Sequence, residues 1–116
     1  CDTGHNIDGL KYIVNQLQQQ KYETLHIVFG MVNDKDIEGV LSLMPKDATY
    51  YFCQASVKRA MPSQQLRTIA ETHGLKGNTF ANVFEAYTSA RQNASQNDFI
   101  YIGGSSFVVA DLIASL

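Results

Sequence analysis

At 116 residues, 45% of them hydrophobic and 17% charged, the chain suits one domain with a modest core and has ordinary soluble-globular composition. Nine Lys and Arg against eleven Asp and Glu leave a formal charge of -2, which gives no basic footprint for nucleic acid or for an acidic membrane surface. Two cysteines, Cys1 and Cys53, form no disulfide framework and no metal-ligand spacing, and no secretory or membrane-spanning stretch is present, so a reducing, cytoplasmic setting is expected.

The chain opens on a polar turn, Asp2 to Asn6, of the kind that follows a strand. With no initiating methionine, it is expected to be a piece of a longer protein; loss of the feeding strand would expose a sheet edge able to drive self-association. Leu10, Ile13, Val14 and Leu17 then fall at i, i+3, i+4 and i+7, an amphipathic helix capped by Asn6 with Asp8 in its first turn. The apolar run Leu25 to Phe29, ended by Gly30, reads as a strand, and the loop Gly30 to Asp36 leads to a helix striped by Ile37, Val40, Leu41 and Met44 that ends near Pro45.

Ala48 to Cys53, rich in aromatic residues, is a second strand, followed by the long loop Gln54 to Met61. Pro62 suits the first turn of a helix striped by Leu66, Ile69, Ala70 and His73 and stopped by Gly74. A brief strand is expected around Thr79 to Ala81, then Asn82 and Glu85 in capping-box spacing open a helix with Val83, Ala86, Tyr87 and Ala90. Phe99 to Ile102 is the last strand, Gly103 and Gly104 break it, and Ser105 caps a final helix carrying Val109, Leu112, Ile113 and Leu116.

Strands apolar on both faces, alternating with amphipathic helices, require a mostly parallel sheet covered on both sides. The expected fold is α/β: a three-layer, Rossmann-like open sheet, with residues 1–116 forming one domain without linker or repeat.

Right-handed crossovers in such a sheet bring all strand-to-helix loops to one edge, and ligands bind outside the carboxyl ends of the strands. Four loops qualify here: Asp2 to Asn6, Gly30 to Asp36, Gln54 to Met61 and Gly103 to Ser106. They supply Asp2, His5, Asn6, Asn33, Asp34, Lys35, Asp36, Lys58, Arg59 and Ser105, beside helix N-termini that favour anions. A carboxylate such as Asp2 can accept hydrogen bonds from ribose hydroxyls, so the edge suits a charged, hydroxylated small ligand.

Each of these residues also has a purely structural use. His5 can be a turn histidine; Asn6, Asp34 and Ser105 can be helix caps; Lys58 and Arg59 can be a solvated pair. His26, inside an apolar strand, reads as a satisfied core or edge residue, His73 as a helix-end residue, and Cys53 as a buried small hydrophobe rather than a nucleophile. Gly103-Gly104-Ser105-Ser106 lacks the GK[ST] ending of a P-loop, and no hydrolytic triad or metal cluster is expected.

Two segments go beyond generic α/β. DTGHN at Asp2 to Asn6 resembles the D-x-[AG]-H-N motif of the last domain of the Mur ligase superfamily, and GMVNDKD at Gly30 to Asp36 resembles the GM-x-x-DKD loop of its folate branch. With GGSSFVVAD at Gly103 to Asp111 in the same order, the resemblance to the C-terminal domain of folylpolyglutamate and dihydrofolate synthases covers essentially the whole chain. It departs from the pattern at Ile7, where many relatives carry proline.

The resemblance implies an ATP-dependent ligase that uses Mg2+ and converts a folate or dihydropteroate carboxylate into an acyl phosphate, which the amino group of L-glutamate attacks. The P-loop and metal ligands are implied to lie in a central domain outside this chain, so the chain alone is expected to be inactive, carry no catalytic residue and hold no metal; the full-length enzyme is expected to be monomeric. By motif position, Asp2 is implied to take the ATP ribose, His5 to help hold the nucleotide, and Asn6, Lys35 and Ser105 to face the incoming amino acid. The alternatives are a Mur-type amino-acid ligase of cell-wall synthesis, disfavoured by the DKD loop, and a free-standing nucleotide- or anion-binding regulatory module.

Overall fold

The computed structural model describes residues 12, 14–16, 23–33, 36–104 and 106–115. Residues 12 and 14–16 are helical, as the opening stripe requires. Then come β1 (Leu25–Phe29), α1 (Ile37–Leu43), β2 (Thr49–Phe52), α2 (Ser63–Thr72), β3 (Lys76–Thr79), α3 (Val83–Asn93), β4 (Phe99–Gly103) and α4 (Ser106–Ser115). The four strands form one sheet in the order β3-β2-β1-β4, and every neighbouring pair is parallel.

Side chains alternate across a strand, so β1, β2 and β4 each feed two separate cores. Leu25, Ile27 and Phe29 of β1, with Tyr50 and Phe52 of β2, pack against Val40 and Leu41 of α1 and Leu66 and Ala70 of α2; Val14 joins this layer. Val28, Tyr51 and Ile102 face the other way, against Val83, Ala86 and Ala90 of α3 and Val108, Val109 and Leu112 of α4. This is the three-layer α/β architecture expected from the apolar runs. Tyr50 and Phe52 stack with ring centroids 5.4 Å apart, and Phe29 meets Tyr50 edge-on at 6.4 Å.

Three local expectations need adjustment. β3 spans Lys76–Thr79, not the stretch around Thr79 to Ala81, because an edge strand half open to solvent needs no apolar run; Lys-Gly-Asn-Thr carries none. On α4 the buried stripe is Val108, Val109 and Leu112, and Ile113 is 62% exposed, so the face turned to the sheet is rotated by one residue from the one expected; Leu116 lies outside the described residues. Pro62 stands just before the first helical residue and accepts the Leu66 N–H through its carbonyl.

Of the caps read from the sequence, Asn82 forms as expected, Asn6 and Ser105 lie outside the described residues, and the helix after the Gly30 loop is capped by Asp36 rather than Asp34. The Asn82 side chain accepts the Glu85 N–H at 2.9 Å and donates to the Glu85 carboxylate at 3.0 Å, a variant of the capping box in which the reciprocal bond runs side chain to side chain. Cys53 is fully buried, with its thiol against the Phe29 carbonyl, and burial first, then the nearby Asp111 charge, pushes its pKa up to about 12, so it is no nucleophile at neutral pH. His73 ends α2 and is hydrogen-bonded to Glu38 of α1, tying the two helices of one layer.

At the amino end of the sheet lies a closed polar network. His26, 4% exposed, donates from Nε2 to Asp98 at 2.8 Å, and its Nδ1 is hydrogen-bonded to the Tyr51 hydroxyl at 2.9 Å. Asn93 donates to the same hydroxyl at 3.3 Å, while Asp98 also accepts the backbone N–H groups of Thr24 and Ser95. A buried polar group with all its partners costs little and specifies one arrangement, which is why a histidine can sit in a central strand.

The Ser95 N–H above all, then the His26 hydrogen bond, hold the Asp98 carboxyl below its ordinary range. A carboxylate depressed on folding adds stability that is complete above its unfolded pKa, roughly 3.9, and is lost as pH falls from there through the folded value. Urea unfolding between pH 2 and 7 is therefore expected to show Asp98→Asn less stable than wild type at neutral pH, with the gap closing below about pH 4. Parallel stability curves across that range would remove Asp98 from this role.

Candidate functional site

The connections β1-α1-β2-α2-β3 build the sheet in one direction, and β4 lies on the opposite side of β1. Where strand order reverses, the two outgoing loops diverge and leave a crevice outside the carboxyl ends, the usual ligand position of open α/β sheets. Here the reversal lies between β1 and β4, at Gly30 after Phe29 and Gly104 after Gly103.

The two loops meet backbone to backbone. The Gly30 N–H donates to the Gly103 carbonyl at 3.3 Å, extending the ladder one step past the strands. Gly104 has φ +95°, and a Cβ there would come within 2.4 Å of the Gly30 carbonyl oxygen. At Gly30 a Cβ would lie 2.9 Å from the Cys53 carbonyl oxygen and 2.8 Å from Val108. Glycine is thus required twice at this edge, once for the turn and once for close approach.

A third loop completes the edge. Residues 54–61, after β2, run alongside the β1–α1 loop: the Asn33 N–H donates to the Arg59 carbonyl at 2.8 Å, the Met61 N–H to the Met31 carbonyl at 2.8 Å, and Val32 bridges Ala60 in antiparallel sense. The β3–α3 turn around Asn82 also reaches this edge, which the misplaced third strand had hidden.

Asp2, His5, Asn6, Lys35 and Ser105 lie outside the described residues, as does Asp34. Their chain neighbours frame the crevice: Asn33 and Asp36 flank Lys35, and Gly104 precedes Ser105 at the start of α4. Asp36 caps α1, its carboxylate accepting the Gly39 N–H at 3.1 Å, so that carboxylate already has a structural use. Lys58 and Arg59 are exposed, and the Arg59 guanidinium lies over the Phe107 ring at 5.4 Å, so Arg59 is more than a solvated partner of Lys58.

One contact was not legible beforehand. Asp111 of α4 accepts the Ser56 N–H at 2.7 Å and the Ser56 hydroxyl at 2.9 Å. The two residues are 55 apart in sequence, and only the bare occurrence of a carboxylate within an apolar helix hinted at it. Among the described residues no cluster of His, Cys, Asp and Glu could hold a metal ion, and no helix is long and apolar enough to cross a membrane.

Comparison with known proteins gives this edge a context. Residues 1–106 match the family model described as Mur ligase, glutamate ligase domain. A probable bifunctional folylpolyglutamate synthase/dihydropteroate synthase of Haloferax volcanii is 30% identical over 111 residues, which is 95% of this chain and 13% of that protein. A crystal structure of a bifunctional folylpolyglutamate synthase/dihydrofolate synthase with Mn, AMPPNP and L-glutamate bound is 30% identical with a TM-score of 0.85, and Escherichia coli FolC in complex with DHPP and ADP is 25% identical with a TM-score of 0.88. Each of these structural matches covers 98% of this chain and 27% of the other, so the chain spans roughly a quarter or less of its relatives' length.

The glycine contact at the crevice yields a direct check. Gly104→Ala must place a side chain at positive φ and against the Gly30 carbonyl, and is expected to destabilise the domain by about 2 kcal/mol in urea unfolding. A loss below about 0.5 kcal/mol, the level of an ordinary surface change, would mean that the two loops do not meet in this way.

Proposed function

The chain belongs to the glutamate ligase domain family of the Mur ligases, and from that premise we propose that it is the C-terminal domain of a cytoplasmic folylpolyglutamate or dihydrofolate synthase. The observation that carries the reading is the likeness along nearly the whole chain to an enzyme crystallised with AMPPNP, Mn and L-glutamate. The Asp2 to Asn6, Gly30 to Asp36 and Gly103 to Asp111 motifs support it by their order along the chain, and Gly30 and Gly103 stand at the carboxyl ends of β1 and β4.

In this reading ATP and Mg2+ are held mainly by a preceding domain. The γ-phosphoryl group of ATP passes to the substrate carboxylate with release of ADP, the free amine of L-glutamate attacks the acyl carbon, and phosphate leaves as the amide forms and the nitrogen loses a proton. The present domain contributes orientation: Asp2 accepts the ribose hydroxyls, His5 steadies the nucleotide, and Asn6, Lys35 and Ser105 receive the amino acid. Bringing an amine and an activated carboxyl into one geometry removes much of the entropic barrier, so a domain without catalytic groups can still control the rate.

The complete gene product is expected to form the γ-glutamyl or dihydropteroyl-glutamate product from ATP, Mg2+, L-glutamate and a folate or dihydropteroate. Glutamate-independent turnover, or activity on a muramyl precursor and not on a folate, would overturn the assignment. Within the active enzyme, Asp2→Ala is expected to lower kcat/KM for ATP by about ten- to a hundredfold with little change in melting temperature, as for a group that touches ligand but packs little. Unchanged kinetics with lowered stability would make Asp2 a turn residue only.

A further inference from the structure

α4 grips the loop after β2 at two points one helical turn apart. Phe107 and Asp111 are four residues apart and so share a helix face. Phe107 lies under the Arg59 guanidinium, and the Asp111 carboxylate takes both the backbone N–H and the hydroxyl of Ser56. Residues 56–59 are thereby fixed to α4 at both ends.

The same short segment is hydrogen-bonded on its other side to the β1–α1 loop, through Asn33 N–H to the Arg59 carbonyl and Met61 N–H to the Met31 carbonyl. The loop 54–61 is therefore a strap joining α4 to the loop that follows β1. Lys35 lies two residues beyond Asn33 in the chain, and Ser105 two residues before Phe107. These are the residues to which the ligase reading gives the amino-acid substrate.

We infer that Asp111 is a positioning residue for amino-acid binding: through Ser56 it sets the register between the loop bearing Lys35 and the helix start bearing Ser105. The inference rests on the ligase reading for its substrate and on the Ser56 contact for its mechanism. A small amino acid with two carboxylates held from two loops demands that their separation be fixed to a fraction of an ångström, and a doubly accepting carboxylate is a stiff, charge-assisted link. The ligase reading gives the nucleotide to Asp2 and His5, which belong to neither chain segment that the strap joins.

In the full-length enzyme, Asp111→Ala is expected to raise KM for L-glutamate about tenfold, while KM for ATP stays within about twofold. Asp111→Asn should stay near wild type, because its amide oxygen accepts the Ser56 N–H and its amide nitrogen donates to the Ser56 hydroxyl, preserving both contacts. Amide exchange at Asn33 and Met61 should quicken in Asp111→Ala and not in Asp111→Asn.

If Asp111→Ala does not fold, Ser56→Ala removes the hydroxyl bond alone and should shift the glutamate KM by about two- to threefold. Equal impairment of the Asn and Ala variants, or a lowered melting temperature with an unchanged ratio of the two KM values, overturns the proposal. Absence of glutamate ligation by the wild-type enzyme refutes the ligase reading instead, and exchange at Asn33 and Met61 then decides the strap: quickened in Asp111→Ala it stands, unchanged it falls.

Discussion

The candidate site depends on the double pairing of β1. Being hydrogen-bonded to β2 on one side and β4 on the other, this strand must release its loop beside a loop that leaves from a strand arriving much later in the chain. Nothing but backbone separates them at the carboxyl end: Gly30 and Gly104 are in contact at a distance that any Cβ would violate. The close glycine contact at this edge follows from that one pairing.

The two ends of the sheet are built on opposite principles. At the amino end, His26, Tyr51, Asn93 and Asp98 close a network in which each polar group is matched and nothing is left for a ligand. At the carboxyl end one hydrogen bond joins two loops, from Asn33 to Arg59, and another ties a loop to α4, from Ser56 to Asp111.

Sequence patterning was a good guide wherever one physical rule acted alone. Leu25 to Phe29 had to be a strand buried on both faces, and Asn82 with Glu85 had to start a helix, because burial and capping leave little choice at those residues. It misled where partners were distant. Lys76–Thr79 has no apolar signature, since only pairing with β2 makes it a strand, and on α4 the rotation that buries Val108 and exposes Ile113 is set by the packing of α3 and β4. Asp36 looked like one polar loop residue among several and proved to be the cap of α1. The motif resemblance reached further than patterning, because the order of Asp2 to Asn6 and Gly30 to Asp36 pointed to the family that residues 1–106 match, whereas Ser56 and Asp111 meet only once the chain has folded.

We propose that ligand is bound at the carboxyl edge, across the β1–β4 reversal. Amide hydrogen exchange of the complete protein, with and without AMPPNP, Mg2+ and L-glutamate, tests it most directly. Protection is expected at Met31 to Asn33 and at Gly103 and Gly104, with no change at Thr24 or at Ser95 to Asp98. Protection confined to the amino end of the sheet, or none at the two glycine-bordered loops under saturating ligand, would contradict it.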